Sequence, residues 1–261
     1  MSIPLAVGNA RVKEARKLSR RSVRTERRLF LADGPKAVEG ALGVEGCVVE
    51  VFATPAAVEQ YADLLVAAPV TLVDDRALAS LSESVSPAGV VALCHHVDVP
   101  LGDLLETSSG PLVICADVRD PGNAGTIIRT ADAVGAGGVV LAGHSVDPYN
   151  AKTVRATVGS LFHLPIAVVP DVARAIADVR SAGMDVLAAD GAGERDLFDL
   201  DDVLDGQVAW LFGNEAWGLP AEVADLADHR VAIPILGRAE SLNLSTAAAV
   251  CLYAGARVQR R

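Results

Sequence analysis

Short apolar runs rich in Val, Leu, Ile and Ala alternate with amphipathic segments along most of the chain. Apolar runs bounded by Gly, Pro, Asp or Asn predict buried strands, and the amphipathic segments between them predict helices. In the first third, the pattern predicts strands at RLFLADG, CVVEVFAT, VTLVDD and GVVALCHH. From Pro111 onward it predicts strands at PLVICADV, GVVLAG, LPIAVV, DVLAAD, QVAWLFG and RVAIPI, and a closing helix at LSTAAAVCLYAGARVQ.

Residues 97–111 interrupt this alternation with two prolines, two glycines and several polar side chains. Such a composition is typical of a linker. We therefore predict a first domain over residues 1–100, a linker over 101–110 and a second domain over 111–261. Strands that alternate with helices favour right-handed crossovers and a mostly parallel sheet, so the predicted class is α/β. Ligands of such sheets bind beyond the carboxyl ends of the strands, which makes the loops after strands the candidate sites.

The composition agrees with this class and argues against several others. Hydrophobic residues make up 51% of the chain and aromatic residues 4%, which suits a parallel sheet covered by helices. The four cysteines are far apart and form no C-x-x-C pair, which favours reduced thiols over a disulfide framework or a zinc site. No apolar run reaches the ~18 residues of a membrane span, and the N-terminus lacks the order of a signal peptide. We expect a cytoplasmic protein with no membrane association and no metal.

The net charge of −10 hides an asymmetry between the N-terminus and the rest. Residues 1–30 carry nine Lys and Arg against two Glu, a charge of +7, so the remainder carries −17. A basic arm on an acidic body favours binding to the phosphate backbone of a nucleic acid. The alternative is a solvated helix that balances an acidic surface. The candidate RNA-binding residues are Arg16, Lys17, Arg20, Arg21 and Arg24.

The first candidate loop is DVRDPGNAGTIIRTADA, where a Pro-Gly pair turns the chain out of a strand. Asn123 then opens a helix whose free N–H groups suit an anion or a ribose. Arg129 follows between Ile128 and Thr130-Ala131, where a buried helix seldom carries a guanidinium without a partner. A ligand is one candidate partner. A structural salt bridge to Asp117 or Asp120 is the other, and the spacing leaves both open.

The second candidate loop is LFGNEAWGLP, in which Gly213 and Gly218 bracket a Glu and a Trp. A glycine directly after a strand lets the backbone approach a ligand without a Cβ in the way. The structural alternative is that Glu215 accepts hydrogen bonds from loop N–H groups while Trp217 caps the core.

The third candidate loop is IPILGRAESLNLSTAAAVCLY, which ends in the closing helix. Ser241, Asn243 and Ser245 lie at the helix start, where small polar side chains serve as caps. Capping accounts for one of them. Three polar groups alternating around Leu242 and Leu244 are more than a cap requires, which indicates a binding site.

NAGTIIRTA, LFGNEAWGLP and IPILGRAESLNLSTAAAVCLY resemble, in this order, the three motifs of the SpoU (TrmH-type) RNA ribose 2′-O-methyltransferases of the SPOUT superfamily. Together they cover about residues 111–256. FLADGPKAVEGAL is similar to the small L30e-like substrate-binding domain that often precedes the catalytic domain, although Asp33 stands where related sequences usually have Glu. The resemblance implies a SPOUT α/β-knot, with a deep trefoil knot and a mostly parallel sheet, preceded by an L30e-like α/β domain.

The same resemblance implies an S-adenosylmethionine-dependent RNA 2′-O-ribose methyltransferase that needs no metal and works as a homodimer. Its substrate is structured RNA, with ribosomal RNA favoured over transfer RNA. The residues expected around the cofactor are Gly213, Ile233, Leu242, Leu211 and Gly218.

Arg129 matches the arginine that is proposed to activate the ribose hydroxyl in this family. Because a guanidinium stays protonated, we expect it to stabilise the developing alkoxide and grip the adjacent phosphate, while the proton leaves through phosphate or water. Asn123 would orient the ribose or the arginine. Glu215, Ser241 and Asn243 are the remaining catalytic candidates, expected to position groups around the pocket.

Other functions remain as alternatives. One is a transfer-RNA 2′-O-methyltransferase, and another is a non-catalytic RNA-binding or ribosome-assembly protein with the same fold. The presence of all five catalytic candidates favours the enzyme. A Rossmann-type enzyme is disfavoured because GAGG follows a predicted helix and neither G-x-G-x-x-G nor G-x-x-x-x-G-K-S/T occurs. A hydrolase is disfavoured because the chain has no G-x-S-x-G.

Overall fold

The structure is a computed structural model and describes residues 3–260. The α-helices are α1 (Ala10–Arg16), α2 (Arg21–Arg27), α3 (Pro35–Leu42), α4 (Pro55–Gln60), α5 (Ala62–Leu65), α6 (Asp75–Leu81), α7 (Leu101–Thr107), α8 (Pro121–Val134), α9 (Ala151–Thr157), α10 (Val172–Ser181), α11 (Asp201–Leu204), α12 (Ala221–Ala224) and α13 (Leu244–Gln259). The strands are β1 (Leu29–Asp33), β2 (Val48–Ala53), β3 (Val70–Leu72), β4 (Val90–His95), β5 (Leu112–Ala116), β6 (Gly138–Ala142), β7 (Ile166–Val169), β8 (Asp185–Ala189), β9 (Arg195–Asp196), β10 (Val208–Phe212) and β11 (His229–Ala232).

The described residues divide into two units by their internal contacts. The first unit contains the residues up to Val97 together with Asp147–His163, and the second contains Asp98–Val146 and the residues from Leu164 onward. The segment Asp147–His163 therefore differs from the predicted division, which placed all of 111–261 in one domain. Its hydrogen bonds and ring contacts explain the difference, because its Tyr149 accepts a hydrogen bond from the Val97 N–H and packs on the ring of Phe30.

The predicted linker is also folded. Leu101–Thr107 of the expected 101–110 linker forms helix α7 in the second unit. Leu104 is fully buried in the core of that unit, and Leu101 and Leu105 pack against the same cluster. Apolar side chains at these helical intervals outweigh the flanking prolines that indicated a linker.

In the first unit, a four-stranded sheet has the order β1-β4-β2-β3. Strand β4 is antiparallel to both β1 and β2, and among the four strands of this sheet only β2 and β3 form the parallel pairing expected from the alternation. The basic segment is not a free arm. Helices α1 and α2, joined by a 3-10 turn, pack on this unit, and Val12 and Ala15 lie in its core beside Phe52 and Leu78.

In the second unit, a seven-stranded sheet has the order β7-β6-β5-β10-β8-β11-β9, and every recorded pair is parallel. This confirms the predicted α/β class and parallel sheet. Every residue of β5, β6 and β10 is buried, which explains why these strands are continuous apolar runs in the sequence. Helix α8 packs against α13. The threading of the C-terminal knot stays a prediction.

No helix in the described part of the chain is long and apolar enough to cross a membrane. The four cysteines are free thiols and all are buried.

Candidate active site

The candidate site lies at the carboxyl ends of four neighbouring strands of the second unit, in the order β5-β10-β8-β11. Because these strands are parallel, the loops that follow them meet at the same edge of the sheet. Each of the three predicted loops follows one of these strands, and the loop after β8 adds a fourth segment to the same edge.

The loop after β10 is a closed hairpin. The N–H of Asn214 donates to the Gly218 carbonyl, and the Gly218 N–H donates to the Asn214 carbonyl, each over 2.9 Å. Inside the turn, the Asn214 Oδ1 accepts from the Ala216 N–H over 2.8 Å. The Asn214 Nδ2 donates to the carbonyl of Asp117 over 2.7 Å and so ties the hairpin to the loop after β5. Asn214 is buried, and it is not among the residues predicted from the sequence, which include its neighbours Gly213 and Glu215.

Gly213 needs its small size within the hairpin itself, and its predicted contact with a cofactor stays a prediction. A Cβ at this position would lie 2.4 Å from the carbonyl carbon of Gly218 and 2.6 Å from the Leu219 nitrogen. The close backbone approach that requires a glycine is therefore made by the hairpin itself. Gly213 and Leu211 do not line the cavity described below, and Leu211 is fully buried in the core of the sheet.

Glu215 joins the hairpin to the start of α8. Its Oε2 accepts from the Arg119 N–H over 3.1 Å, and its Oε1 accepts from the Asp120 N–H over 2.9 Å. The Nδ2 of Asn123 also donates to Oε1, over 3.3 Å. These backbone donors belong to the loop after β5 and not to the hairpin of Glu215 itself. The Glu215 carboxylate therefore fixes the spacing between the loop after β5 and the loop after β10.

Asn123 connects this pair of loops to the third. Its Oδ1 accepts from the Nδ2 of Asn243 over 3.1 Å. Asn243 is the N-cap of α13, and its own Oδ1 accepts from the backbone N–H groups of Ser245 and Thr246. The Ser245 hydroxyl donates to the same oxygen over 2.7 Å. The three motifs are therefore linked by one chain of side-chain hydrogen bonds, Glu215–Asn123–Asn243.

Arg129 is exposed on α8, two helical turns after the helix begins. It makes no hydrogen bond or ion pair with any residue that the structure describes. The alternative salt bridges to Asp117 and Asp120 are not formed. The Asp117 carboxylate accepts from the His144 N–H, and the Asp120 carboxylate caps α8 at the Asn123 N–H. Of the two partners that the sequence left open, the ligand therefore remains, and the Arg129 guanidinium is exposed to receive it.

A cavity of about 350 Å³ opens between the loops after β8, β10 and β11. The predicted residues that line it are Glu215, Gly218, Ile233, Ser241 and Leu242. Asn123, Asn243 and Arg129 are not part of its wall.

Other residues that line the cavity were not predicted from the sequence. Asp190 and Gly191, directly after β8, line it, and so does Glu240. Burial opposes ionisation of Asp190, but hydrogen bonds from the Ala192 N–H and the Arg230 guanidinium hold its pKa below the ordinary value. The signal was present in the sequence, because Asp-Gly directly after a predicted parallel strand obeys the same rule as the other three loops.

Trp217 does not cap the core, since 53% of its surface is exposed. The guanidinium carbon of Arg119 lies 5.2 Å from the centre of its ring, within the range of a cation–π contact. No cluster of His, Cys, Asp and Glu suited to a metal ion occurs among residues 3–260.

Four of the five candidate RNA-binding residues lie on the surface of the first unit. Arg16, Arg20 and Arg21 are exposed and unpaired within the described structure, and Lys17 is exposed and paired with Glu14.

Arg24 is the exception, and its assignment to RNA was wrong. It is 4% exposed, and its Nε and Nη2 both donate to the Asp147 carboxylate, over 2.9 and 2.7 Å. Its Nη1 donates to the carbonyls of Leu18 and Ser19. All of its nitrogens are engaged within the unit, so Arg24 has a structural role.

A cavity beyond the carboxyl ends of parallel strands, walled by polar loops and a helix start, is typical of an α/β domain that binds a small molecule. The profile of the SpoU rRNA methylase family matches residues 110–253, and that of the MRM3-like substrate binding domain matches residues 9–92. The chain belongs to the SpoU rRNA methylase family. The resemblance found in the sequence is thereby confirmed.

Relatives are similar over nearly the whole chain. The 23S rRNA (guanosine(2553)-2′-O)-methyltransferase RlmP of Bacillus subtilis is 32% identical over 248 residues, which cover 94% of this chain and 95% of RlmP. An AdoMet-bound rRNA methyltransferase from Sinorhizobium meliloti superposes with a TM-score of 0.85 at 37% identity, covering 98% of this chain and 97% of that one. The SpoU methyltransferase AviRb from Streptomyces viridochromogenes, in complex with AdoMet, gives 0.85 at 32% identity, with 97% and 98% covered.

Proposed function

We propose that the protein transfers a methyl group from S-adenosylmethionine to the 2′-hydroxyl of a ribose in ribosomal RNA. The observation that carries this proposal is the hydrogen-bonded chain from Glu215 through Asn123 to Asn243, which joins three loops beside the cavity. Membership of the SpoU rRNA methylase family supports the reaction, and the relative RlmP is named for 2′-O-methylation of 23S rRNA. The presence of a complete polar network beside a cofactor-sized cavity favours an enzyme over a non-catalytic RNA-binding protein.

The cavity fits S-adenosylmethionine in size and in chemistry. Its volume of about 350 Å³ lies in the range of small-molecule sites. Ile233, Leu242 and Leu244 provide apolar wall for an adenine ring. The carboxylates of Glu215 and Asp190 complement the positive charge of a sulfonium and an ammonium group. The two solved relatives described above are named as bound to AdoMet, which supports the same assignment here.

When bound, S-adenosylmethionine supplies an electrophilic methyl group. The remaining work of the chain is to hold a ribose hydroxyl in line with that group, to exclude competing nucleophiles and to stabilise the charge on the attacking oxygen. Holding two reactants in the correct geometry contributes about 7–11 kcal/mol to lowering a barrier. Rigid loops are therefore central to this site, and the bonds between them have a direct catalytic purpose.

Arg129 is the group that we assign to the attacking oxygen. A guanidinium stays protonated at neutral pH, so Arg129 does not act as a general base. Its planar, permanently charged guanidinium instead stabilises the developing alkoxide and contacts the neighbouring phosphate. The ribose proton leaves through phosphate or water. The exposed, unpaired state of Arg129 is consistent with this role.

Asn123, Glu215 and Asn243 act as positioning residues. Both polar atoms of the Asn123 side chain are already bonded to protein, so Asn123 aligns the start of α8, and with it Arg129 further along the helix. Ser241 contacts the bound cofactor or substrate, an assignment supported by its position in the wall of the cavity.

The first unit holds the RNA through its basic helices. Arg16, Lys17, Arg20 and Arg21 contact phosphates, while Arg24 holds the helices in place. The match to an MRM3-like substrate binding domain over residues 9–92 supports this division of labour. Replacing Arg16, Arg20 and Arg21 together by Ala is expected to weaken RNA binding. The slope of the logarithm of the binding constant against the logarithm of salt concentration should become shallower by up to about 2–3. An unaltered slope contradicts the assignment.

The protein works as a homodimer in the cytoplasm. Tyr253 on α13 is 56% exposed, and Leu236 after β11 is 95% exposed, so both present apolar surface that a second copy can cover. Sedimentation velocity should give twice the chain mass of 27.0 kDa, and Tyr253→Glu should shift the protein to the monomer mass. A monomeric wild-type protein contradicts the dimer, and recovery of the tagged protein outside the cytoplasmic fraction contradicts the location.

The reaction itself is tested with purified protein, S-adenosylmethionine carrying a labelled methyl group, and unmodified 23S rRNA or transfer RNA. Label is expected in a 2′-O-methylnucleoside of 23S rRNA, recognised because the adjacent phosphodiester resists alkali. Label confined to transfer RNA supports the alternative substrate. Cofactor binding by calorimetry without label in either RNA favours the non-catalytic alternative.

A further inference from the structure

Beside the cavity lies an aromatic side chain that the mechanism above does not use. Trp217 and Trp210 are the two tryptophans of the chain. Trp210 is fully buried in β10, whereas 53% of the Trp217 surface is exposed. Exposing a tryptophan forgoes the stabilisation that burying so large an apolar side chain provides, which points to a binding role.

Trp217 is held firmly although it is exposed. The hairpin that carries Trp217 is closed by two backbone hydrogen bonds between Asn214 and Gly218. A third hydrogen bond, from the Ala216 N–H to the Asn214 side chain, fixes the residue before Trp217. Arg119, from the loop after β5, lies over its ring at 5.2 Å. Arg119 is itself exposed, and its backbone N–H donates to Glu215. The Glu215 carboxylate therefore joins the loop that carries Arg119 to the hairpin that carries Trp217.

The position of the pair links it to the substrate rather than to the cofactor. Ala216 and Gly218, the residues on either side of Trp217, line the cavity, but the Trp217 side chain does not. A planar group stacked on the indole would therefore lie beside the cavity without filling it. The Arg119 guanidinium adds a positive charge that suits the phosphates on either side of a stacked base.

We propose that Trp217 and Arg119 form a stacking platform for an unpaired nucleobase of the RNA, at or next to the nucleotide whose ribose is methylated. The inference rests on the proposed function for the identity of the substrate. RNA in single-stranded loops is recognised by stacking of splayed bases on aromatic rings and guanidinium planes, which is the surface that this pair presents.

Steady-state methyl transfer to unmodified 23S rRNA tests the platform. Trp217→Ala is expected to raise the KM for RNA about 5- to 150-fold, the range that corresponds to loss of one aromatic–base stack. Trp217→Phe should restore most of the affinity, and cofactor binding by calorimetry should stay unchanged. Phe198→Ala is the matched control, since Phe198 is another exposed aromatic residue of the second unit. An unchanged RNA KM for Trp217→Ala overturns the proposal.

A second measurement does not depend on turnover. The fluorescence of Trp217 is followed while a uridine dodecamer is added, and again with an abasic ribose-phosphate dodecamer of equal charge. Quenching by the uridine polymer alone, absent in Trp217→Phe, is expected. Equal quenching by both polymers, or quenching by neither polymer, contradicts the stacking platform. Failure of wild-type methyl transfer with selective quenching intact would instead place the error in the proposed function.

A subunit contact is the competing explanation for an exposed tryptophan. Sedimentation velocity of Trp217→Ala separates the two. The platform requires the variant to keep the wild-type mass. Dissociation of a wild-type dimer by this substitution would assign Trp217 to an interface between copies and overturn the proposal.

Discussion

The side-chain amide of Asn243 donates to the Oδ1 of Asn123 over 3.1 Å, which bonds the start of α13 to the start of α8. The Oδ1 of the same Asn243 amide caps α13. One side chain therefore both begins α13 and aligns it with α8. The bond crosses 120 positions of sequence and joins the first and third motifs.

This bond should appear as an energetic coupling. Asn243→Ser keeps a capping oxygen but removes the amide donor, and Asn123→Ala removes the acceptor. A double-mutant cycle on kcat/KM is expected to give a coupling of about 0.5–3 kcal/mol, because the two residues act through one contact. Thr126→Ala, on the exposed side of α8, serves as the control for substitutions in that helix. Strictly additive effects would show that the bond has no part in catalysis.

Arg129→Ala should separate chemistry from cofactor binding. Removing a donor to a developing oxyanion costs about 10²–10³-fold in kcat, and loss of the phosphate contact adds to this. Since Arg129 does not line the cavity, the calorimetric Kd for S-adenosylmethionine should not change. Arg174→Ala removes another exposed arginine of the second unit and should leave kcat unaffected. Turnover of Arg129→Ala at the wild-type rate refutes the assigned role.

Gly213→Ala should open the hairpin. The new Cβ would lie 2.4 Å from the Gly218 carbonyl carbon, a distance that backbone atoms cannot accept. We expect loss of cofactor binding and a fall of about 1–3 kcal/mol in the free energy of unfolding, the usual cost of forcing extra atoms into a packed site. Gly102→Ala is the control, because its Cβ would meet open space in α7 and should stabilise by about 0.5–1 kcal/mol. Urea denaturation measures both. Unaltered cofactor affinity in Gly213→Ala would contradict the closed hairpin.

Arg24→Met should destabilise the protein without acting on RNA directly. It leaves the Asp147 carboxylate, whose side chain is 11% exposed, without its cation. Breaking a buried ion pair in this way costs about 3–5 kcal/mol. Arg21→Met removes an exposed, unpaired charge from the same helix and should alter stability by no more than about 0.5 kcal/mol. Equal unfolding midpoints for the two variants would contradict the structural role of Arg24.

Stability should fall in alkaline solution through two buried thiols. Burial raises the pKa of Cys115 to about 12 and that of Cys251 to about 12. The unfolded chain therefore loses these protons near pH 9 while the folded chain retains them, so each thiol removes about 1.4 kcal/mol of stability per pH unit between about pH 9 and pH 12. The double variant Cys115→Ala, Cys251→Ala should show a shallower decline in urea titrations over this window, whatever its stability at pH 7. Parallel curves would contradict the prediction.

The sheet of the second unit could be predicted from the sequence because several of its strands are continuous apolar runs. Strands β5, β6 and β10 are buried on every residue, so they appear as unbroken apolar runs. Parallel strands place the loops that follow them at one edge of the sheet, so three loops of the site could be predicted from the sequence alone.

What the sequence did not reveal depends on partners far along the chain. Nine basic residues near the N-terminus look alike in sequence, and only the fold shows that Arg24 faces Asp147, 123 positions away. Gly213 requires its small size because of its own hairpin, which the spacing of two glycines could not distinguish from a ligand contact. Helix α7 is different, because its leucines recur at helical intervals in the sequence and Pro100 precedes the helix at its N-cap without interrupting it.

The most direct test of the account is a map of ribose methylation in 23S rRNA from cells with and without the gene. We expect one 2′-O-methylated nucleotide to disappear on deletion, to return with the wild-type gene, and to remain absent when the gene encodes Arg129→Ala. Loss of a base methylation instead, or an unchanged set of ribose methylations in ribosomal RNA, would contradict the central claim.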